Sequence, residues 1–342
     1  MKMAKEFVDA GVAMIHLDDL AIGMKKFTIG QGRTVVPTSE YIDRLAAVRM
    51  QFDIMGAETL LLTRCDTDHS EFITSVIDER DHEYVQGATK SVEPLKECLA
   101  KAQANGEDLK AARNDWKSRA VLRTFDEAVK DVAIDNEYDA YITEVRQTQF
   151  RSLTSRREIA ARTVKQAVFF DWDIPRSAMG QYFFKSCVKA IIERALAVAP
   201  LGDVTWARMD APNWDDIVEF HTAVRKVHPD RLFAFGYTGD YDFGKAGFSP
   251  EQVKTMHLDM AKIGIVWQVQ PIWSLQGLLM ATDDFAKLWA SEAIGGYVRE
   301  VQTPALARTP MADGFEKLSW CGGYLLDSFY ETVAGEKIVE KQ

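Results

Sequence analysis

Charged side chains cluster where short apolar runs end. The run over residues 13–17 closes on Asp18 and Asp19, and that over 59–62 leads to Arg64, Cys65 and Asp66. Arg208 follows the run over 204–207. Thr238, Asp240 and Asp242 follow that over 232–235, and a fifth run over 263–269 ends at Gln270 and Pro271. Carboxylates can carry protons or hold a divalent cation, and cations or neutral donors can hold carboxylates. Arg64, Arg208, Asp240 and Asp242 together are polar enough for an active site. Adjacent strand residues point to opposite faces, so only one of Asp18 and Asp19 can face a shared centre. Between the first two runs lies Lys25-Lys26-Phe27-Thr28-Ile29-Gly30. A phenyl ring there can neither give nor take a proton, and Ile29 can only pack.

Other chemistries find little support. The six histidines show no ligand spacing, and His16, on a strand, reads as a core histidine. The four cysteines form no CxxC pair, which argues for reduced thiols in an intracellular protein and against structural zinc. No nucleophile-elbow, phosphate-loop or dinucleotide glycine motif occurs. A net charge of -10 argues against a nucleic-acid surface. No apolar run approaches the ~18 residues of a membrane span. The N-terminal stretch has no secretory h-region, and the C-terminus is not a peroxisomal signal. The expected location is intracellular and cytoplasmic, with peroxisome and mitochondrion as alternatives.

The five apolar runs read as buried parallel strands, which helices cover. Amphipathic stretches alternate with them. Ser39 reads as the N-cap of a helix over 39–55, and Ser249 as that of a helix over 249–262, with Pro250 at its first position. A third such stretch covers 213–227. This alternation predicts an α/β fold, a (β/α) barrel or open sheet with polar residues at the strand ends. Residues 90–167 break the alternation with a helical insertion of three helices. The expected organisation is a first barrel segment over 1–89, the insertion over 90–167, a second barrel segment over 168–300 and a C-terminal helical segment over 301–342. Five strands fall short of the eight of a closed barrel, so the first strands are expected to be missing or supplied by another chain.

Wording and layout resemble the isocitrate lyase family over about residues 10–330. The loop of Lys25 and Lys26 after Asp18-Asp19 is similar to the family's Lys-Lys-Cys-Gly-His loop. The segment Val36-Pro37-Thr38-Ser39-Glu40-Tyr41-Ile42 resembles the helix that follows it, and Leu62-Thr63-Arg64-Cys65-Asp66 resembles an Ala-Arg-Thr-Asp strand end. Ile77-Asp78-Glu79-Arg80-Asp81-His82 and the insertion resemble the long-insertion eukaryotic branch. The resemblance implies a (β/α)8-type barrel, a tetramer with exchanged C-terminal helices, and magnesium-assisted retro-aldol cleavage of isocitrate or 2-methylisocitrate.

Against that pattern the reactive positions depart. Phe27 and Ile29 replace the family cysteine and histidine, so no catalytic residue is intact. Lys25 and Lys26 either bind substrate or are surface lysines, and Arg64 either holds a carboxylate or closes a strand-end salt bridge. Asp18-Asp19 stand for a Glu-Asp metal pair, Asp18 being shorter by a methylene, ~1.5 Å. The family's first metal carboxylates have no counterpart, so magnesium is expected to bind weakly or not at all. Thr238 can still donate, Asp240 and Asp242 replace neutral donors, Arg208 reverses the charge of an acid, and Phe183 replaces an arginine. The resulting expectation is a non-catalytic or regulatory homologue that cleaves neither substrate. The alternatives are a superfamily lyase retuned to a different organic acid, and ordinary cleavage. Expected partners are a small organic acid and other subunits, in a homo-oligomer (dimer or tetramer) or with a full-length relative. Neither nucleic acid nor membrane is expected.

Overall fold

The computed structural model describes residues 1–23, 33–149, 151–209, 213–237, 242–308 and 323–334. Its contacts divide the chain into two units, Met1–Pro271 and Ile272–Gln342.

All five apolar runs form strands, and all five lie in one parallel sheet. They are β1 (Met14–Asp18), β2 (Leu60–Cys65), β3 (Val204–Ala207), β4 (Leu232–Gly236) and β5 (Ile265–Val269), side by side in chain order. Helices α1 (Thr38–Met55), α2 (Val188–Val198), α3 (Trp214–Val227) and α4 (Pro250–Lys262) return the chain between strands. Their apolar stripes cover one face. Leu61, Cys65, Ala207, Phe233 and Phe235 pack there against Leu45, Phe52, Ile191, Phe220 and Met260. The other face carries a smaller cluster of Met14, Leu62, Val204, Trp206 and Ala234. The fold is α/β, with β1 and β5 as the edges of this sheet among the described residues.

The helix starts follow the expectation at Ser249 and depart from it at Ser39. Ser249 caps α4 in a capping box with Gln252, and Pro250 opens the helix. Asn213 caps α3. By contrast, α1 begins at Thr38, and Ser39 is not its cap. The backbone N–H groups of Thr38 and Ser39 donate to Asp81 at 2.8 Å and Asp78 at 2.7 Å, far along the chain. Carboxylates at a helix N-terminus satisfy its free donors and oppose its dipole, wherever in sequence they come from.

A second, mixed sheet has no counterpart in the sequence reading. Its strands are Thr34–Val35, Phe72–Ile73, Tyr182–Phe184, Val85–Ala88 and Leu122–Thr124, in that spatial order. Strands of two to four residues leave no readable period. Residues 90–167 carry five helices, beginning with Leu95–Ala104 and ending with Leu153–Thr163. Phe125, Val129, Tyr141, Ile159 and Phe170 form a core of their own there.

The described residues of the second unit are helical. Pro271–Gly296 breaks at Ala293, whose φ of 49° and ψ of -137° are not helical, and Gly323–Ala334 follows further on. Among the described residues no helix is long and apolar enough to cross a membrane.

Candidate active site

Parallel pairing aligns the C-terminal ends of β1, β2 and β3. Asp18 stands opposite Arg64, and Arg64 opposite Trp206. Side chains alternate between faces, so these three share the face turned away from the helices, as Leu62, Val204 and Trp206 do. Two residues beyond Arg64, Asp66 takes its guanidinium edge on: Nε donates to Oδ1 at 2.6 Å and Nη2 to Oδ2 at 3.0 Å. The same guanidinium lies 4.5 Å from the centre of the Trp206 ring. Arg208, two residues beyond Trp206, brings Nη1 to 3.6 Å from Asp66 Oδ2.

Charge at this strand end is stable. Burial alone would push the Asp66 carboxyl up, but Arg64, then Arg208 and Arg33, hold it below its ordinary range. Burial works against the Arg64 cation too, and Asp66 outweighs it. Arg33, Arg64, Asp66 and Arg208 are all buried. Three guanidiniums surround Asp66, with Asp18 and Asp19 also acting on Arg64, and guanidiniums so fixed are the groups that can hold an anionic substrate.

Asp18 and Asp19 divide as strand geometry requires. Asp19 turns to the helix side and is fully buried. It accepts from Asp66 N at 2.8 Å, Thr67 Oγ1 at 2.7 Å and Arg194 Nη1 at 3.2 Å. Burial pushes its carboxyl up although Arg194 pulls the other way. Its oxygens are engaged by protein donors, so it acts as a strut between β1, β2 and α2. Asp18 is half-buried on the open side. Among the described residues no group of three His, Cys, Asp or Glu side chains is placed to hold a metal ion. Asp18 could serve magnesium as one carboxylate ligand beside substrate and waters, and no step below is routed through a metal.

Several supporting residues escaped the sequence reading. The Tyr41 hydroxyl lies 2.9 Å from both Leu17 O and Arg64 O, tying β1 to β2 just below the charged cluster. Trp206, inside the run over 204–207, was not among the candidates. His16 is exposed, with its ring edge-on to Trp206 at 5.9 Å between centroids. The signal that could have found Trp206 is pairing register, because it puts a large ring beside Arg64. Cys65 offers no substitute for a loop cysteine: it faces the helices, and burial, then Asp19, raise its thiol well above the usual value.

Other candidates lie elsewhere. Asp242 sits in an exposed turn, accepting from Lys245 N at 3.0 Å and pairing with Lys245 Nζ at 3.1 Å. Phe183 is core of the second sheet, 4.7 Å from Phe72. Lys25, Lys26, Phe27, Ile29, Thr238 and Asp240 lie outside the described residues.

Comparison with known proteins follows the same lines. The model of the isocitrate lyase family matches residues 1–339. The chain is 58% identical to the mitochondrial 2-methylisocitrate lyase of Schizosaccharomyces pombe over 96% of its own length and 62% of the relative's. It is 33% identical to a mitochondrial 2-methylisocitrate lyase of Hypocrea atroviridis, over 88% of this chain and 55% of that one. Against the isocitrate lyase of Pinus taeda the identity is 31%, over 98% and 60%. The chain thus spans about three fifths of the length of the curated relatives it matches. Identity of 58% with a lyase overturns the expectation of a degenerate, non-catalytic homologue. That expectation rested on the lost acid, the half-missing metal pair and the rewritten carboxylate pocket together, and none of these departures, the acid included, outweighs that identity. A general acid contributes ~10²–10⁴-fold, a minority share of the ~10⁶-fold or more that an enzyme supplies.

Proposed function

The chain belongs to the isocitrate lyase family, and from that premise we propose that it serves a carbon–carbon lyase whose substrate is 2-methylisocitrate. The 58% identity over 96% of the chain carries this reading. The guanidiniums at the strand end support it. A tricarboxylate needs cations, and Arg64 is held in place with two of its nitrogens on Asp66. Arg208 stands beside it as a second cation.

The reaction is a retro-aldol cleavage. The substrate hydroxyl loses its proton, the adjacent carbon–carbon bond breaks, and its electron pair stays on the carbon of the succinate portion. That carbon then takes a proton. The products are pyruvate and succinate; isocitrate would give glyoxylate and succinate. Arg64 and Arg208 hold carboxylate groups through both halves. The proton for the succinate carbon comes from a group other than Phe27 or Ile29. The reading extends to a mitochondrial setting, to a magnesium requirement and to assembly of subunits, as dimer or tetramer.

The test uses the full-length protein with magnesium. Pyruvate release from 2-methylisocitrate is followed by coupled NADH oxidation, and glyoxylate release from isocitrate by hydrazone absorbance. The expected result is pyruvate release, with kcat/KM for 2-methylisocitrate above that for isocitrate by about 10–200-fold, the range one methyl group commands. Protein that binds citrate yet releases no pyruvate would refute the reading.

A further inference from the structure

We propose that Gly236 is a positioning residue for Arg64: its missing side chain makes the space in which the Trp206 indole lies beneath the guanidinium. The proposal rests on the lyase reading for its kinetic consequence, but not for its geometry.

Gly236 is the last residue of β4 and is buried. Its φ lies outside the left-handed region, so its backbone would accept any residue. Space is what excludes a side chain. A Cβ built there would fall 2.2 Å from Trp206 Cζ2 and 3.0 Å from Cε2 and Cη2. Ordinary carbon contact is at ~3.5 Å, so the ring would have to retreat by more than about 1 Å. The strand has little freedom to move instead. It is paired with β3 on one side and β5 on the other, and Tyr237 N donates to Val269 O at 2.8 Å.

The ring is also confined on its other sides. Leu62, Val204 and Ala234 pack around it, and His16 meets it edge-on. Arg64 lies across its face at 4.5 Å. The indole Nε1 is buried without a hydrogen-bond partner, so no bond of its own anchors the ring. Its position is set by packing against Gly236 and by the cation above it. Two supports therefore fix the Arg64 guanidinium: Asp66 at its edge and Trp206 at its face. A methyl group at 236 displaces the second support and tilts the first. A carboxylate held by Arg64 alike in the ground and transition states then binds less tightly, which raises KM more than it lowers kcat.

The test measures citrate affinity by calorimetry and cleavage kinetics on the same full-length proteins. Citrate is an unreactive tricarboxylate, so its binding reports on Arg64 even if the lyase reading fails. Gly236→Ala is expected to weaken citrate and raise KM by roughly ten- to a hundredfold, with kcat changed much less. Adding Trp206→Phe to Gly236→Ala removes the clashing atoms, keeps an aromatic face under Arg64, and restores most of the citrate affinity. Wild-type affinity in Gly236→Ala would overturn the proposal, and so would failure of the double variant to rescue a folded Gly236→Ala. If Gly236→Ala does not fold, Trp206→Leu removes the face without adding bulk. It must then weaken citrate, and unchanged affinity overturns the proposal. Loss of cleavage in the wild type, with this citrate pattern intact, would fault the lyase reading and leave the positioning role standing.

Discussion

Replacing His221 by leucine removes one titrating group from the helix-covered face of the main sheet. The imidazole is 1% exposed and meets Phe233 edge-on at 4.6 Å. Nδ1 lies 2.6 Å from Ile217 O and so carries the hydrogen, while Nε2 is buried without a partner. Charging the ring would place a second N–H in apolar surroundings. Burial, chiefly, therefore holds its pKa down at about 4 from the ordinary 6.5; the Ile217 bond opposes this, and Arg225 adds to it. The unfolded chain binds this proton first as pH falls. Stability is thus fully present above about pH 6.5, is lost through the interval below it, and stops falling near pH 4. A difference of about 2.5 units corresponds to about 3 kcal/mol in all. Between pH 7 and pH 5 the share is about 2 kcal/mol. Urea unfolding, followed by tryptophan fluorescence at both pH values, isolates it. The wild type is expected to lose about 2 kcal/mol more than His221→Leu over that step, because all other titrations cancel in the comparison. Any packing cost of the leucine shifts both points alike. Two proteins whose stabilities fall in parallel to within about 0.5 kcal/mol would refute the reasoning.

Arg64→Gln is expected to lower kcat/KM for 2-methylisocitrate by about ten- to a hundredfold, since a charge-assisted hydrogen bond to substrate is worth ~1.5–3 kcal/mol; steady-state kinetics check this. Asp81→Ala removes an N-terminal cap from α1 and leaves Arg194 short of a buried partner. It should cost about 3–5 kcal/mol, read from denaturant midpoints. Cys65 should resist iodoacetamide in the native protein at pH 8, when exposed thiols react, and mass spectrometry would detect the modification only after unfolding; rapid native labelling would contradict its burial.

The main sheet was legible because its strands are continuous apolar runs, a signal that parallel strands covered by helices give strongly. The cap at Ser249 was legible because it is local. What was illegible is non-local. The carboxylates that cap α1 are Asp78 and Asp81, and nothing in the segment around Thr38 announces them. The short strands around Phe72 and Phe183 pair across long gaps with no period to betray them. Within the site, Arg64 and Asp18 could be read from their place at strand ends. The roles of Trp206, Gly236 and Tyr41 could not, since each depends on which strand lies next to which. The functional misreading has a different origin. The departures at Phe27, Ile29, Phe183, Arg208, Asp240, Asp242 and the Asp18-Asp19 pair were all weighed as losses against the family pattern, and 58% identity with a lyase outweighs them.

The borrowed cap of α1 bears on the order in which the protein assembles. Asp81 follows Thr38 by 43 residues, and Arg194, which bonds Asp81 at 2.9 Å, lies 113 residues further on. Arg194 also reaches Asp19, at the end of β1. As the chain leaves the ribosome, the first strand and first long helix emerge well before the side chain that joins them. Until α2 is made, Asp19 and Asp81 lack their shared cation, and neither can be buried cheaply. The segment from β1 to Asp81 is therefore expected to stay loosely formed until residue 194 is available, then to lock together with α2. Contacts of such sequence separation slow folding, and they expose the nascent edge of β1 for longer. A chaperone that shields strand edges would act on this segment before residue 194 is made and release it once α2 has docked.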